Sequence, residues 1–523
     1  MNRRAFMDFL KQKWLSLFVI FCLAIAFFLR LYKIDTPLAD WHSFRQADTA
    51  SVTREYVKNG VDFLRPHYQD LSNIQSGHDN LEGYRMVEFP LVNGVLAAIL
   101  RAQPEWDIVI VSRLASVMAT VFAISLLGWL VWRIESPHIG AITVLVWSIL
   151  PYAIYYGRTI LPEPFLLFFI LASLTSWYLW LRDAKVSDIW LVITGVLAAL
   201  ALLVKPTAVF FVPAFLGMLG QYPHRIVIAN KKGVHIKWVP ILKFVIVAGL
   251  AMMPVVWWRM WIQNFPTGIP VSDWLLNGNG IRLKPAWWRW LFADRIGRLM
   301  FGYWGAPFLL FGLVFSFPQI GKNRRWNSVL QILNSLVSTV FSWVTKSGTL
   351  FGLSLGILMY LVVFASGNVQ HDYYQILLLP LLAWLWAKGA VSLIGSFTDN
   401  FHKSLMAGSV LLIGLFSVFF SWYFVKDWYH INNWAIVRAG EAVNRLTPQD
   451  ALVIAPYMGD TAFLFQTNRR GWPIGFEIDK KRQMGAQFYV STSKDDEVGE
   501  LRERYPVVDE TDEYILFDLR VEK

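Results

Sequence analysis

The sequence predicts a polytopic α-helical membrane protein followed by a small C-terminal α/β domain outside the membrane. Three observations carry this. Apolar runs of roughly 17–25 residues, long enough to span a bilayer as helices, recur up to residue 424. Only 16% of the 523 residues are charged, against about 25% in soluble domains. From residue 425 onward the long apolar runs give way to short alternating ones, the pattern of strands with a helical piece between.

The spans follow in order. "MNRRAFMDFLKQKW" leads into an apolar run at 14–31 with no small-x-small cleavage signal, so it reads as an uncleaved first helix. Further spans are expected at 108–132, 139–156, 163–181, 189–204, 206–220, 239–260, 299–319, 348–366, 372–391 and 405–424, about eleven in all. The fifth and sixth are separated only by "VKPT" at 204–207, where Lys-Pro makes a turn at a membrane surface. An amphipathic piece at 326–345 is expected to lie flat on one face. The many Trp and Phe residues suit membrane interfaces.

Basic residues cluster in "MNRRAFMDFLKQK", "QYPHRIVIANKKGVHIK", "GKNRRWN" and other short loops, which places those loops inside. The outer set is then the 32–107 loop, "YYGRTILPEP", "LVKPT", the 259–298 loop, "SGNVQHDYY" and everything after 424. The 259–298 loop is basic and breaks the pattern, but long loops carry less topological weight. The expected domains are a transmembrane core at 1–424 with a large first outer loop at 32–107, and an extracytoplasmic α/β domain at 425–523. The latter has no Gly-rich phosphate loop, so it is expected to cap the site or bind a partner. The net charge of +11 sits mostly beside spans, which reads as topology and not as nucleic-acid binding. One cysteine, Cys22, lies in the first span, which excludes an internal disulfide and a thiolate metal cluster.

The unusual polar residues gather in the outer set. They are Asp40, His42, Arg45 and Asp48 in the first loop, Glu88 in "MVEFPL", Arg158 and Glu163 in "GRTILPEPF", Lys205 in "VKPT", and His371, Tyr373 and Tyr374 in "QHDYYQ". Charge near a membrane is costly unless it faces a cavity or a partner. Acids mixed with arginine, lysine and histidine suit a site that binds an anion and moves a proton. "SFRQADTASVTREYVKNG" reads as a surface helix with Arg45 and Asp48 on one side, at i and i+3. Blander roles compete. Glu88 and Glu163 suit helix starts, Arg158 suits an interface salt bridge, and the His371–Tyr374 group suits interface anchoring. Lys205 stands out because nothing near it in sequence neutralises it.

The long acidic first loop, "HSFRQADTA", "EFPL", "GRTILPEPF", "LVKPT" and "HDYYQILLLP" together resemble the integral-membrane GT-C glycosyltransferases that use polyprenyl-phosphate sugars. The likeness covers roughly residues 10–425 and is greatest to bacterial relatives of the protein O-mannosyltransferases and of the lipid A aminoarabinose transferase. It implies transfer of a sugar to a protein, lipid or glycan hydroxyl, among membrane lipids, at the outer face of the bacterial cytoplasmic (inner) membrane. A first-loop acid, often in an Asp-Glu pair, is the general base in such enzymes, and the sugar is typically inverted. This sequence lacks that pair, which falls near Arg45 and Gln46. The base is then Asp48, Asp40 or Glu88, with Asp48 favoured because Arg45 is placed to orient it. An acceptor hydroxyl needs a carboxylate to take its proton. A phosphate leaving group needs cations, for which Arg158 and Lys205 are the candidates, with His371, Tyr373 and Tyr374 as hydrogen-bond donors. His42, Arg45 and Glu163 complete the site. The residues commit to no cofactor; a divalent metal on Asp48, Glu88 and His42 is an open alternative without a matching motif. The competing readings are a membrane polysaccharide polymerase or ligase, a lipid-linked sugar transporter or flippase, and an envelope scaffold. A transporter would need paired broken spans and a midplane site, and only one break is present.

Overall fold

A computed structural model describes residues 3–183, 185–230, 233–317 and 329–523. Helix α1 (Arg3–Arg30) is followed by α2 (Ser43–Asn59), α3 (Leu91–Ala102), α4 (Ile108–Ile134), α5 (Pro137–Ile149) and α6 (Pro151–Tyr156). Then come α7 (Glu163–Leu181), α8 (Ile189–Val204), α9 (Val212–Gln221) and α10 (Trp238–Trp261). Local chemistry sets the ends. Asp107 caps α4 by accepting from the amides of Val109 and Ile110, and Ser136 with Pro137 starts α5. Lys205 is extended, as a residue before proline must be, so α8 stops at Val204.

Seven helices among the described residues are long and apolar enough to cross a membrane: Lys13–Arg30, Ile108–Ile134, Glu163–Leu181, Trp238–Asn264, Thr345–Val363, Asp372–Gly395 and Asn400–Leu446. The chain is a multi-pass helical membrane protein. The other four expected spans fall on shorter helices. Pro151 divides 139–156 into α5 and α6, and Pro206 divides the 189–220 run. The expected span at 299–319 contains the Ala306–Val314 helix, and its last two residues lie outside those described. The stretch at 326–345 begins outside the described residues and its side chains to 344 lie outside them too. The helical backbone from Val329 to Val363 breaks at Ser347.

Close helix packing depends on small residues. A Cβ on Gly217 would come within 1.9 Å of the Gly348 carbonyl oxygen. Cβ atoms on Gly352 and Gly356 would lie 1.9 Å from the carbonyls of Pro213 and Phe210. This four-residue glycine stripe lets two helices touch along their backbones, as membrane helices do. Arg30 is fully buried at the end of α1 and donates to the carbonyls of Ala26, Trp147, Ser148 and Ala153. It thereby satisfies carbonyls freed where α5 breaks into α6.

A helix at Trp434–Leu446 leads into a five-stranded sheet. Strands β1 (Val227–Asn230) and β2 (Gly233–Ile236) form a separate hairpin earlier in the chain. The sheet contains β3 (Leu452–Ile454), β4 (Arg470–Trp472), β5 (Ala486–Ser491), β6 (Val507–Glu510) and β7 (Ile515–Asp518), in the order β4-β3-β5-β7-β6. β3 runs parallel to β4 and β5, and β7 antiparallel to β5 and β6. The first loop joins its edge: the Leu71 amide donates to the Gly471 carbonyl and the Gly471 amide to the Gln69 carbonyl, at 2.8 and 2.9 Å. The short helix Thr461–Gln466 packs on α2. Helix α2 is therefore not the surface helix the sequence suggests. Its residues Arg45, Asp48 and Glu55 are buried between the membrane helices and the sheet domain.

Candidate active site

The site forms where α2, the loop returning to α3, and the starts of α4 and α7 meet. The Asn80 side chain clamps the returning loop, accepting from the Tyr84 amide at 3.0 Å and donating to its carbonyl at 2.9 Å. The loop thus carries Gln75 and Arg85 back over α2. Arg85 lies 3.1 Å from Asp48 Oδ2, and Gln75 Nε2 donates to the same oxygen at 3.0 Å. Oδ1 accepts from Thr461 Oγ1 at 2.7 Å. The expected Arg45–Asp48 pair is not made. Arg45 instead forms an ion pair with Glu88.

Arg45, Asp48, Arg85 and Glu88 open on a cavity of about 50 Å³. These four give one charged wall; Phe89, Leu96, Phe165 and other mostly apolar side chains line the rest. Ser112 lines the cavity too, and its hydroxyl has no hydrogen-bond partner among the described residues. Burial alone would raise the Glu88 carboxyl. The Arg45 guanidinium, aided by Lys205 and Arg85, overcomes this and holds it at about 2. Glu88 is thus a fixed anion and a poor proton acceptor. Burial, with the Asp48 charge adding to it, lifts Asp70 and Asp460 to about 6.

Beside the cavity, Lys205 pairs with Glu163 and its ammonium lies 5.1 Å from the Tyr374 ring centre. Lys205 is therefore not unneutralised; its partner comes from α7, 42 residues earlier. Tyr373 and Tyr374 stack at 4.8 Å, and His371 stacks on Tyr373 at 5.3 Å. Burial, with His42 next to it, pushes the His371 imidazole down to about 4, so it is neutral at pH 7. His42 Nε2 lies 2.7 Å from Asp372 Oδ1, and the same carboxylate accepts from Trp41 and Tyr156.

Two expected site residues lie elsewhere. Asp40 and Arg158 meet in the interior, with Arg158 2.9 Å and Arg113 3.2 Å from Asp40 Oδ2 and no side-chain exposure on any of the three. Gln46 donates to the other Asp40 oxygen at 3.1 Å. Arg158 is thus spent on an internal carboxylate and is not on the cavity wall. The metal alternative does not fit either. His42, Asp48 and Glu88 are held by Asp372, Arg85 and Arg45, and among the described residues no three His, Cys, Asp or Glu side chains gather as a metal would require.

Sequence reasoning missed Gln75, Arg85, Ser112, Asp372 and Thr461. Arg85 had a signal, three residues before Glu88 in "YRMVEF", and so did Asp372, the acid within the quoted "QHDYYQ". Thr461 had none, because the fold alone brings it to Asp48 from 413 residues away.

Residues 90–258 match the family model described as dolichyl-phosphate-mannose-protein mannosyltransferase. ArnT from Cupriavidus metallidurans bound to undecaprenyl phosphate is similar in structure, with a TM-score of 0.54, 13% identity, and coverage of 96% of this chain and 97% of that one. Its apo form gives 0.56 at 12% identity, covering 97% and 98%. The Archaeoglobus fulgidus oligosaccharyltransferase, in complex with Zn and sulfate, gives 0.50 at 12%, covering 94% and 71%. No curated protein matches in sequence. The chain shares the fold of these membrane enzymes, and its segment 90–258 is similar to the protein mannosyltransferases.

Proposed function

We propose that the protein transfers a sugar from a polyprenyl-phosphate donor to a protein, lipid or glycan hydroxyl at the outer face of a bacterial cytoplasmic membrane. The observation that carries this is the cavity on which Asp48 meets Arg45 and Arg85, with Lys205 near enough to act on Glu88. Asp48 takes the acceptor proton as the acceptor oxygen bonds to the anomeric carbon. The bond from that carbon to the phosphate oxygen breaks on the opposite face, so configuration inverts. The departing phosphate gains negative charge and needs cations, not a proton. Arg45, Arg85 and Lys205 supply them, and Tyr373, Tyr374 and neutral His371 contribute hydrogen-bond donors. Glu88 and Glu163 keep Arg45 and Lys205 in place between turnovers.

On this reading the basic N-terminus lies inside, and the first loop and the C-terminal domain lie outside. Single cysteines placed in residues 36–90 of a Cys22→Ala protein should react with an impermeant maleimide in intact cells. Labelling only in broken cells would put the acids on the wrong side.

Lys205→Met should weaken binding of undecaprenyl phosphate roughly 10–100-fold, the worth of one charge-assisted contact. Glu163 would be left buried and unpaired, so the Lys205→Met, Glu163→Gln double variant is measured alongside. Affinity restored in the double variant would show that Lys205 serves only Glu163.

A further inference from the structure

We infer that the C-terminal domain supplies a positioning residue to the active site, the Thr461 hydroxyl, which fixes the orientation of the Asp48 carboxylate. This rests on the assignment of Asp48 as the general base. Thr461 and Asp48 are each 2% exposed, and their bond of 2.7 Å joins two buried polar groups from opposite ends of the chain.

The two carboxylate oxygens are held differently. Oδ2 takes both Gln75 and Arg85, whereas Thr461 is the single donor to Oδ1 among the described residues. Without that hydroxyl the carboxylate is free to turn both oxygens toward the Arg85 fork, the geometry arginine favours with carboxylates. A base turned onto Arg85 no longer presents an oxygen to an acceptor. The Thr461 hydroxyl also lies 3.2 Å from the Phe44 carbonyl, but its one hydrogen is better used on the nearer, charged oxygen. The other charged or titratable groups facing Asp48 are Arg45, Tyr68, Asp70 and Asp460. None of them donates a hydrogen bond to Oδ1.

Thr461 is itself held in place. Asp460 caps its helix by accepting from the Ala462 amide at 2.7 Å, and Gln69 donates to the Thr461 carbonyl at 2.9 Å. The domain is docked at other points, on α2 and on the segment before it. Arg54 donates to the Phe465 carbonyl at 2.8 Å with its guanidinium 3.6 Å from that ring, and Gln466 donates to the Leu38 carbonyl at 2.9 Å. Docking therefore does not depend on the hydroxyl, and its loss is separable from loss of the domain.

The test compares full-length Thr461→Val, which keeps shape and loses the donor, with Thr461→Ser, which keeps the donor. Turnover is followed with whichever undecaprenyl-phosphate sugar of a panel the wild type consumes. Thr461→Val should lower kcat roughly 10–100-fold, the worth of a hydrogen bond to a charged group. Donor KM and undecaprenyl phosphate affinity should stay within about twofold, and Thr461→Ser should restore most of kcat. Unchanged kcat in Thr461→Val, or equal loss in both variants with a lowered melting temperature, would overturn the inference. Asp48→Asn is run beside them. If it keeps turnover, the assignment of the base fails; if it is inactive while Thr461→Val is normal, only the role of Thr461 fails.

Discussion

Asp48→Asn lowers turnover about 10²–10⁴-fold and leaves undecaprenyl phosphate binding in place, as expected for loss of a general base. The substitution is nearly isosteric and removes the proton acceptor. Three donors converge on this carboxylate, from Gln75, Arg85 and Thr461, so the side chain is fixed before any substrate arrives. The other two acids weighed for the role fail on physical grounds. Asp40 does not reach the cavity, and both of its oxygens are engaged by Arg113, Arg158 and Gln46. Glu88 reaches the cavity, but a carboxyl held at about 2 has little affinity for a proton at neutral pH. Donor binding should survive in Asp48→Asn because its cations remain. Single-turnover consumption and lipid affinity in the same nanodisc preparation separate the two effects. Near-normal turnover would remove Asp48 from the chemistry.

Asp40→Asn loses stability first. Its carboxylate is the shared counter-ion of two guanidiniums with no side-chain exposure. Removing the charge leaves Arg113 and Arg158 close together, buried and repelling, a class of change that costs about 3–5 kcal/mol. Arg158 is also sandwiched against the Tyr155 and Tyr429 rings, which limits its escape. The readout is the melting temperature of the purified protein, followed by the fluorescence of its many tryptophans. Adding Arg158→Met to Asp40→Asn should recover part of the loss, because one of the two orphaned charges leaves with the acid. A double variant as unstable as the sum of the single changes would contradict a shared ion cluster.

The membrane class was legible because a span must be long and apolar whatever its neighbours. Span count was less legible. Pro151 and Pro206 shorten helices inside runs that hydropathy alone reads as continuous. Arg45, Asp48 and Glu88, which line the cavity, stood out in the sequence as charges in poor company, and their pairing did not. Arg45 and Asp48 share a helix side, yet each found its partner in the 85–88 segment, because the folded first loop brings that segment across α2. Lys205 looked unpaired for the same reason: Glu163 is distant in sequence and adjacent in space. Asp40 and Arg158 read as outer-face site residues because sequence shows charge and sidedness but not depth. The C-terminal domain read as a cap or a partner-binding unit, and nothing in its own residues marked Thr461.

The most direct measurement is the release of undecaprenyl phosphate from undecaprenyl-phosphate sugars by the purified protein in nanodiscs, with and without Asp48. The account predicts that the wild type releases lipid phosphate from at least one donor sugar when an acceptor is supplied, with the sugar recovered on the acceptor in inverted configuration, and that Asp48→Asn binds the lipid but releases almost none. Release at equal rates from both proteins, or recovery of intact lipid-linked sugar on the opposite leaflet with no transfer, would contradict it.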